Sequence, residues 1–171
     1  MNIYKNFLDK KDFKILESKI MGDTFPWYYN NEVVEPGDEF FQFTHLCVVN
    51  GEENCKAEVM QCLKPILDKL KYKKIERIKA NLLPKSDNII EHGLHIDLDE
   101  KMKTGIFYVN TCNGYTKFKN GEKIKSEKNK YIEFDSDLMH TGSTCTDEKR
   151  RVVINFNYKW IYLIIIGTFY F

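Results

Sequence analysis

The stretch RRVVINFNY, Arg150 to Tyr158, has two different faces. If it is extended, its side chains alternate, so Val152, Ile154, Phe156 and Tyr158 form one unbroken apolar surface and Arg151, Val153, Asn155 and Asn157 form the other. The apolar face is suited to packing against helices. The polar face then meets solvent or lines a cavity. In the second case Arg151 points into the cavity and Arg150 does not.

Working outward, the chain from about Ile75 is a series of short runs rich in Ile, Val, Phe and Tyr, separated by turns. These are IERIKANLL (75–83), GLHIDL (93–98), TGIFYVN (104–110), GYTKF (114–118) and YIEF (131–134). Strands of this length at close spacing predict an antiparallel sandwich or barrel. Upstream, Phe13, Leu16 and Ile20 recur at helical spacing after Asp9 and Asp12, with Gly22 as a stop. A second helix is expected between Glu52 and Leu70, with Pro65 kinking it or opening its last portion. The segments FPWYYNNEVV (25–34) and FFQFTHLCVV (40–49) add flanking strands. The expected class is α+β, mainly β, in a single domain spanning 1–171. Residues 1–74 supply the helices and flanking strands, 75–158 the core, and 159–171 an apolar C-terminal strand or tail.

Composition narrows the function. With 26 basic and 25 acidic side chains, no global field recruits nucleic acid or an anionic membrane. The run DKLKYKK (68–74) reads as a solvated helix end. The C-terminal run WIYLIIIGTFYF (160–171) falls short of the roughly 20 residues a membrane-spanning helix needs, so a final buried strand is expected, with a short hydrophobic anchor as the alternative. Five cysteines without CxxC spacing, and an N-terminus without the apolar core of a signal peptide, predict free thiols in the cytoplasm. No phosphate-binding glycine loop or hydrolase nucleophile motif is present.

The chemistry gathers in GLHIDL. On an extended chain His95 and Asp97 share a face while Leu94, Ile96 and Leu98 take the other, giving a buried polar pair or half of a metal site. A third ligand must come from elsewhere. Of the remaining histidines, His45 reads as structural, and His92 faces away from His95 on a regular strand. His140, in FDSDLMHTGS, is the best candidate. Two imidazoles and a carboxylate leave half of an octahedron open, as in non-haem Fe(II) oxygenases, whereas zinc usually keeps only one open position. Two open positions can chelate a 2-oxo acid, and the third can take dioxygen. A dicarboxylate co-substrate also needs a cation, which Arg151 can supply through its planar fork. Tyr108 can donate to the same carboxylate or fill the core, and Arg77, Lys79 and Asn81 line the entrance or meet water.

The elements HID (95–97), FYVN (107–110), NGYTKFKNG (113–121), YIEFDSDLMHTG (131–142) and RRVVINFNY together resemble the Fe(II)- and 2-oxoglutarate-dependent dioxygenases. The likeness is to the prolyl-4-hydroxylase-like branch and its small viral and bacterial relatives. The resemblance implies a double-stranded β-helix, or jelly roll, with the N-terminal helices on its major sheet. It implies His95, Asp97 and His140 as the iron ligands, and Arg151 on the distal carboxylate of 2-oxoglutarate with Tyr108 assisting. Arg150 is the alternative cation, because the interval from His140 to Arg151 exceeds the commonest one. Asn157 falls where relatives often carry an aromatic residue. The implied activity is hydroxylation with Fe(II), 2-oxoglutarate and dioxygen, ascorbate serving as reductant, in the host cytoplasm if the source is viral. The implied substrate is a peptidyl proline, another amino-acid side chain or a small molecule. The rival readings are a non-catalytic jelly-roll binding or virion-associated module, and a metal-dependent hydrolase using the same ligands.

Overall fold

The structure, a computed structural model, describes residues 1–97 and 101–161. Helix α1 (Lys10–Ile20) begins where the Asp9 carboxylate accepts the Asp12 amide at 2.9 Å. It ends where the Met21 amide donates to the Glu17 carbonyl. Phe13, Leu16 and Ile20 form its buried stripe, as their spacing requires. Helix α2 (Ala57–Leu67) buries Val59, Cys62, Leu63 and Ile66 and carries Pro65 within its last turn. It is shorter than the sequence suggests because Glu52–Glu53 pair with the end of a preceding strand.

The described strands pair antiparallel, and an isolated bridge between Lys85 and Cys145 is parallel. The larger sheet has eight strands, in the order β1 (Asn2–Tyr4), β9 (Lys130–Asp135), β6 (Lys103–Tyr108), β11 (Arg150–Trp160), β5 (Tyr72–Pro84), β3 (Gln42–Val49) and β2 (Tyr28–Asn30), with β4 (Glu52–Glu53) paired to β3. The smaller sheet runs β10 (His140–Gly142), β7 (Tyr115–Phe118), β8 (Lys123–Lys125).

Strand β11 divides the interior as its alternation demands. Val152, Ile154, Phe156 and Tyr158 join Ile78, Ala80 and Phe107 in one buried cluster with Phe13, Leu16 and Ile20 of α1 and Leu63 and Ile66 of α2. Each Val, Leu, Ile or Phe among them contributes roughly 1.5–3 kcal/mol of transfer free energy. On the opposite face, Val153, Ile106, Tyr108, Ile132 and Phe134 meet Phe118 and Ile124 of the smaller sheet. This second core fills only part of the space facing the smaller sheet. The rest is a cavity.

Three expectations change. Residues 93–97 of GLHIDL form no regular strand: their backbone pairs through a bridge at His95, and Leu94 and Ile96 are exposed instead of covering a core. Strand β6 stops at Tyr108, so Asn110 does not continue its face. Instead its side chain clamps β11, donating to the Arg150 carbonyl and accepting the Val152 amide, both at 2.8 Å. Strand β11 continues to Trp160, whereas the expected apolar strand or anchor from Tyr162 onward lies outside the described residues. Among the described residues no helix is long and apolar enough to cross a membrane.

Gly105 in β6 lies beneath Tyr131. That ring stacks on Phe7 with centroids 4.5 Å apart, and its hydroxyl is 3.3 Å from that of Tyr158. A Cβ on Gly105 would stand 1.8 Å from the Tyr131 hydroxyl oxygen. Gly105→Ala should therefore cost about 1–3 kcal/mol through overpacking, read as a lower urea midpoint at unchanged slope. An unchanged midpoint would contradict this close approach.

Candidate metal centre

Residues 91–95 run alongside β10 without forming a strand of their own. The His95 amide donates to the His140 carbonyl at 2.9 Å and the His140 amide donates back at 3.0 Å, while the His92 amide reaches Gly142 at 3.2 Å. This reciprocal pair sets the two imidazoles side by side, with centroids 4.8 Å apart. Each ring turns Nδ1 to a carbonyl two residues back: His95 to Gly93 at 3.1 Å, and His140 to Leu138 at 3.0 Å. With the proton on Nδ1, the lone pair is on Nε2 in both rings. His140 Nε2 lies 3.8 Å from Asp97 Oδ2, and one ligand atom from each of His95, Asp97 and His140 falls within 4.8 Å of the others. Donor types and spacing fit a divalent cation with open coordination positions.

A buried carboxylate has to be compensated, and Asp97 has several partners. Arg77 Nη2 donates to Oδ1 at 2.8 Å; Thr104 Oγ1 and Asn157 Nδ2 donate to Oδ2 at 3.1 and 3.2 Å. Asn157 also accepts from Arg77 Nε at 2.9 Å and donates to Thr104 at 3.0 Å, tying the three together. Burial alone would raise the Asp97 pKa, but Arg77, His140 and the Asn157 amide hold it below the ordinary aspartate value. Burial lowers the His140 pKa, against the opposing pull of Asp97. Both shifts favour the metal-ligating protonation states. The sequence reading left the role of Asn157 open and did not find those of Arg77 and Thr104. Their only signal is register, because Asn157 faces Arg77 on one side and Thr104 on the other.

The cavity beside these residues has a volume of about 270 Å³ and includes Arg77, Lys79, His92, Arg151 and Asn155 in its lining. Arg151 is 3% exposed, so its guanidinium is buried, and among the described residues it has no carboxylate partner. Nε donates to Ser126 Oγ at 2.8 Å and Nη2 to Thr116 Oγ1 at 3.2 Å. Gly114 makes room for its stem, since a Cβ there would approach Arg151 Cδ to 2.7 Å. Arg150 turns the other way, donating to the Met21 carbonyl behind α1. Tyr108 stands beside Arg151, but its hydroxyl donates to Thr116 at 2.9 Å, and Thr116 rather than Tyr108 lines the cavity. Burial pushes the Tyr108 phenol up to about 12, so it stays protonated. His45 lies outside the cavity, with Nδ1 2.7 Å from the Pro26 carbonyl.

His92 lines the cavity with both ring nitrogens buried and unpartnered, and its ring meets Phe40 edge-on. Burial pushes its pKa down to about 4. The unfolded chain takes that proton near pH 6.5, so between these values the unfolded state binds more protons. Stability should therefore be fully present above about pH 6.5 and fall toward pH 4, by on the order of 3 kcal/mol from this group. Denaturant titrations across this range should show the loss, and His92→Phe should flatten it. An equal acid loss in the variant would contradict the assignment.

Against known proteins, no family model matches the sequence and no curated protein matches it. Solved structures do match in fold. A prolyl hydroxylase from Trichoplax adhaerens, in complex with a peptide from the hypoxia inducible factor oxygen degradation domain, superposes with a TM-score of 0.64 at 15% identity, covering 92% of this chain and 82% of that one. The viral collagen prolyl hydroxylase of Paramecium Bursaria Chlorella virus-1, in complex with 2-oxoglutarate, gives 0.60 at 12% identity over 94% and 96%. A prolyl-4-hydroxylase from Pseudomonas putida gives 0.60 at 12% identity over 94% and 92%. The chain therefore shares its overall fold with these three proteins.

Proposed function

We propose that this protein is an Fe(II)- and 2-oxoglutarate-dependent dioxygenase that hydroxylates an amino-acid side chain within a peptide, a prolyl residue being the leading candidate. One observation carries the proposal: a buried guanidinium without a counter-charge faces the same cavity as a His-Asp-His cluster. An unpaired buried cation is costly, so a site built this way is completed by an anion. The two sheets facing each other across the cavity support the finer description of a double-stranded β-helix.

In this reading His95, Asp97 and His140 hold the metal, which when bound supplies the coupling of 2-oxoglutarate oxidation to C–H hydroxylation. Arg151, aligned by Ser126 and Thr116, receives the distal carboxylate of the co-substrate through its fork. Tyr108 is then a positioning residue acting through Thr116. Arg77, Thr104 and Asn157 keep Asp97 ionised and oriented. The fold neighbour solved with a bound peptide supports a peptide substrate. Free thiols fit the cytoplasm.

Purified protein given Fe(II), ascorbate, 2-oxoglutarate and peptide pools should release succinate. Asp97→Ala should lose iron and lower turnover at least about 100-fold. Arg151→Met should raise the 2-oxoglutarate requirement about 10- to 100-fold while leaving iron binding intact. Turnover surviving Asp97→Ala would refute the metal assignment. No succinate above a metal-free control would favour a non-catalytic binding module.

A further inference from the structure

Strand β5 alternates like its neighbour β11: Ile78 and Ala80 face the helices, while Arg77, Lys79 and Asn81 line the cavity. The Arg77 guanidinium is used by Asp97 and Asn157. Lys79 is different. It is half-buried, and among the described residues its ammonium makes no hydrogen bond or ion pair. Burial lowers its pKa, the nearby Arg77 lowers it further, and Asp97 only partly offsets them. Of the formally charged side chains among the described residues lining the cavity, Arg77, Lys79 and Arg151 are cations and Asp97 is the one anion. A divalent metal ion would add positive charge, and Asp97 with a bound dicarboxylate would still leave these groups with a net positive charge.

The residue across the strand pair supplies a second clue. Asn155 is the register partner of Lys79, lines the cavity, and has a buried Oδ1 without a partner. The site thus offers a cationic donor beside a free amide acceptor. That pairing suits a carboxylate with a backbone N–H close by. Arg151 lies four residues along β11 from Asn155, about 13 Å in the strand direction, so its guanidinium and the Lys79–Asn155 pair are separate anchoring points. A phosphate group is the poorer match, since among the described residues neither a second free cation nor a cradle of backbone amides adjoins Lys79.

Resting on the oxygenase reading above, we infer that Lys79 and Asn155 form a substrate subsite that selects an acidic peptide. The ammonium takes a carboxylate near the carbon to be oxidised, and Asn155 accepts the adjoining amide N–H. The occupant is a peptide rather than a nucleic acid because the chain's net charge is only +1.

The test uses the whole protein loaded with Zn(II) and 2-oxoglutarate, which bind without turnover. The probes are N-acetyl-Pro-Glu-amide, its Pro-Gln twin, and N-acetyl-Pro-Gly with a free C-terminus, so that side-chain and terminal carboxylates are distinguished. Calorimetry should show at least one carboxylate probe binding about tenfold or more tighter than the neutral twin. Lys79→Met should erase that preference, leave zinc and 2-oxoglutarate affinity within about twofold, and keep or raise Tm by removing an unpaired charge. Asn155→Leu should weaken acid and amide probes alike. Equal affinities, including no binding of any probe, would overturn the inference. So would a preference that survives Lys79→Met, or a loss of 2-oxoglutarate binding in that variant as large as in Arg151→Met. If wild-type protein binds neither zinc nor 2-oxoglutarate, the oxygenase reading fails, and the acid-against-amide comparison on the metal-free protein still decides the role of Lys79.

Discussion

The site depends on two backbone hydrogen bonds exchanged between His95 and His140. They join chain segments separated by the whole β6–β9 region and fix both imidazoles on one side of the cavity. Neither segment is held by regular structure of any length. β10 is three residues long, and residues 93–97 belong to no strand. Rigidity comes from the scaffold behind them, where β11 and β5 pair over eleven positions between the helices and the cavity. A short, irregular ligand-bearing segment on a rigid sheet is the usual division between function and stability.

Charge placement follows the same division. One carboxylate and one guanidinium form a compensated unit, Asp97 with Arg77, that Asn157 and Thr104 complete. Among the described residues Arg151 is held by two hydroxyl groups, which take hydrogen bonds from it without neutralising it. In the proposed function, the contrast separates a charge already balanced within the protein from one that a ligand would balance. It also explains why Arg150, one residue away, is irrelevant to the cavity, since strand alternation sends it to the α1 side.

Much of this was legible in the sequence because it depends on periodicity. The alternation in RRVVINFNY specified which face of β11 meets the helices, and the spacing of Phe13, Leu16 and Ile20 located α1. What escaped was short or non-local. Strands β1, β8 and β10 have three residues each, too few to carry a periodic signal. GLHIDL looked like a strand because its composition alternates, yet its apolar positions Leu94 and Ile96 are exposed. The roles of Asn157, Thr104 and Arg77 follow from register across three strands, which no single stretch encodes. Tyr108 shows how a neighbour can intercept a side chain, its hydroxyl being taken by Thr116.

The central claim is that His95, Asp97 and His140 would bind one cation in the cavity that Arg151 also lines. A crystal structure with Mn(II) and N-oxalylglycine, an unreactive analogue of 2-oxoglutarate, tests it most directly. The account predicts anomalous density bound by Nε2 of both histidines and the Asp97 carboxylate, with the distal carboxylate of the analogue on Arg151. Manganese bound elsewhere, for instance at the His45, Cys47 and Cys55 cluster, or His140 turned away from Asp97, would contradict it.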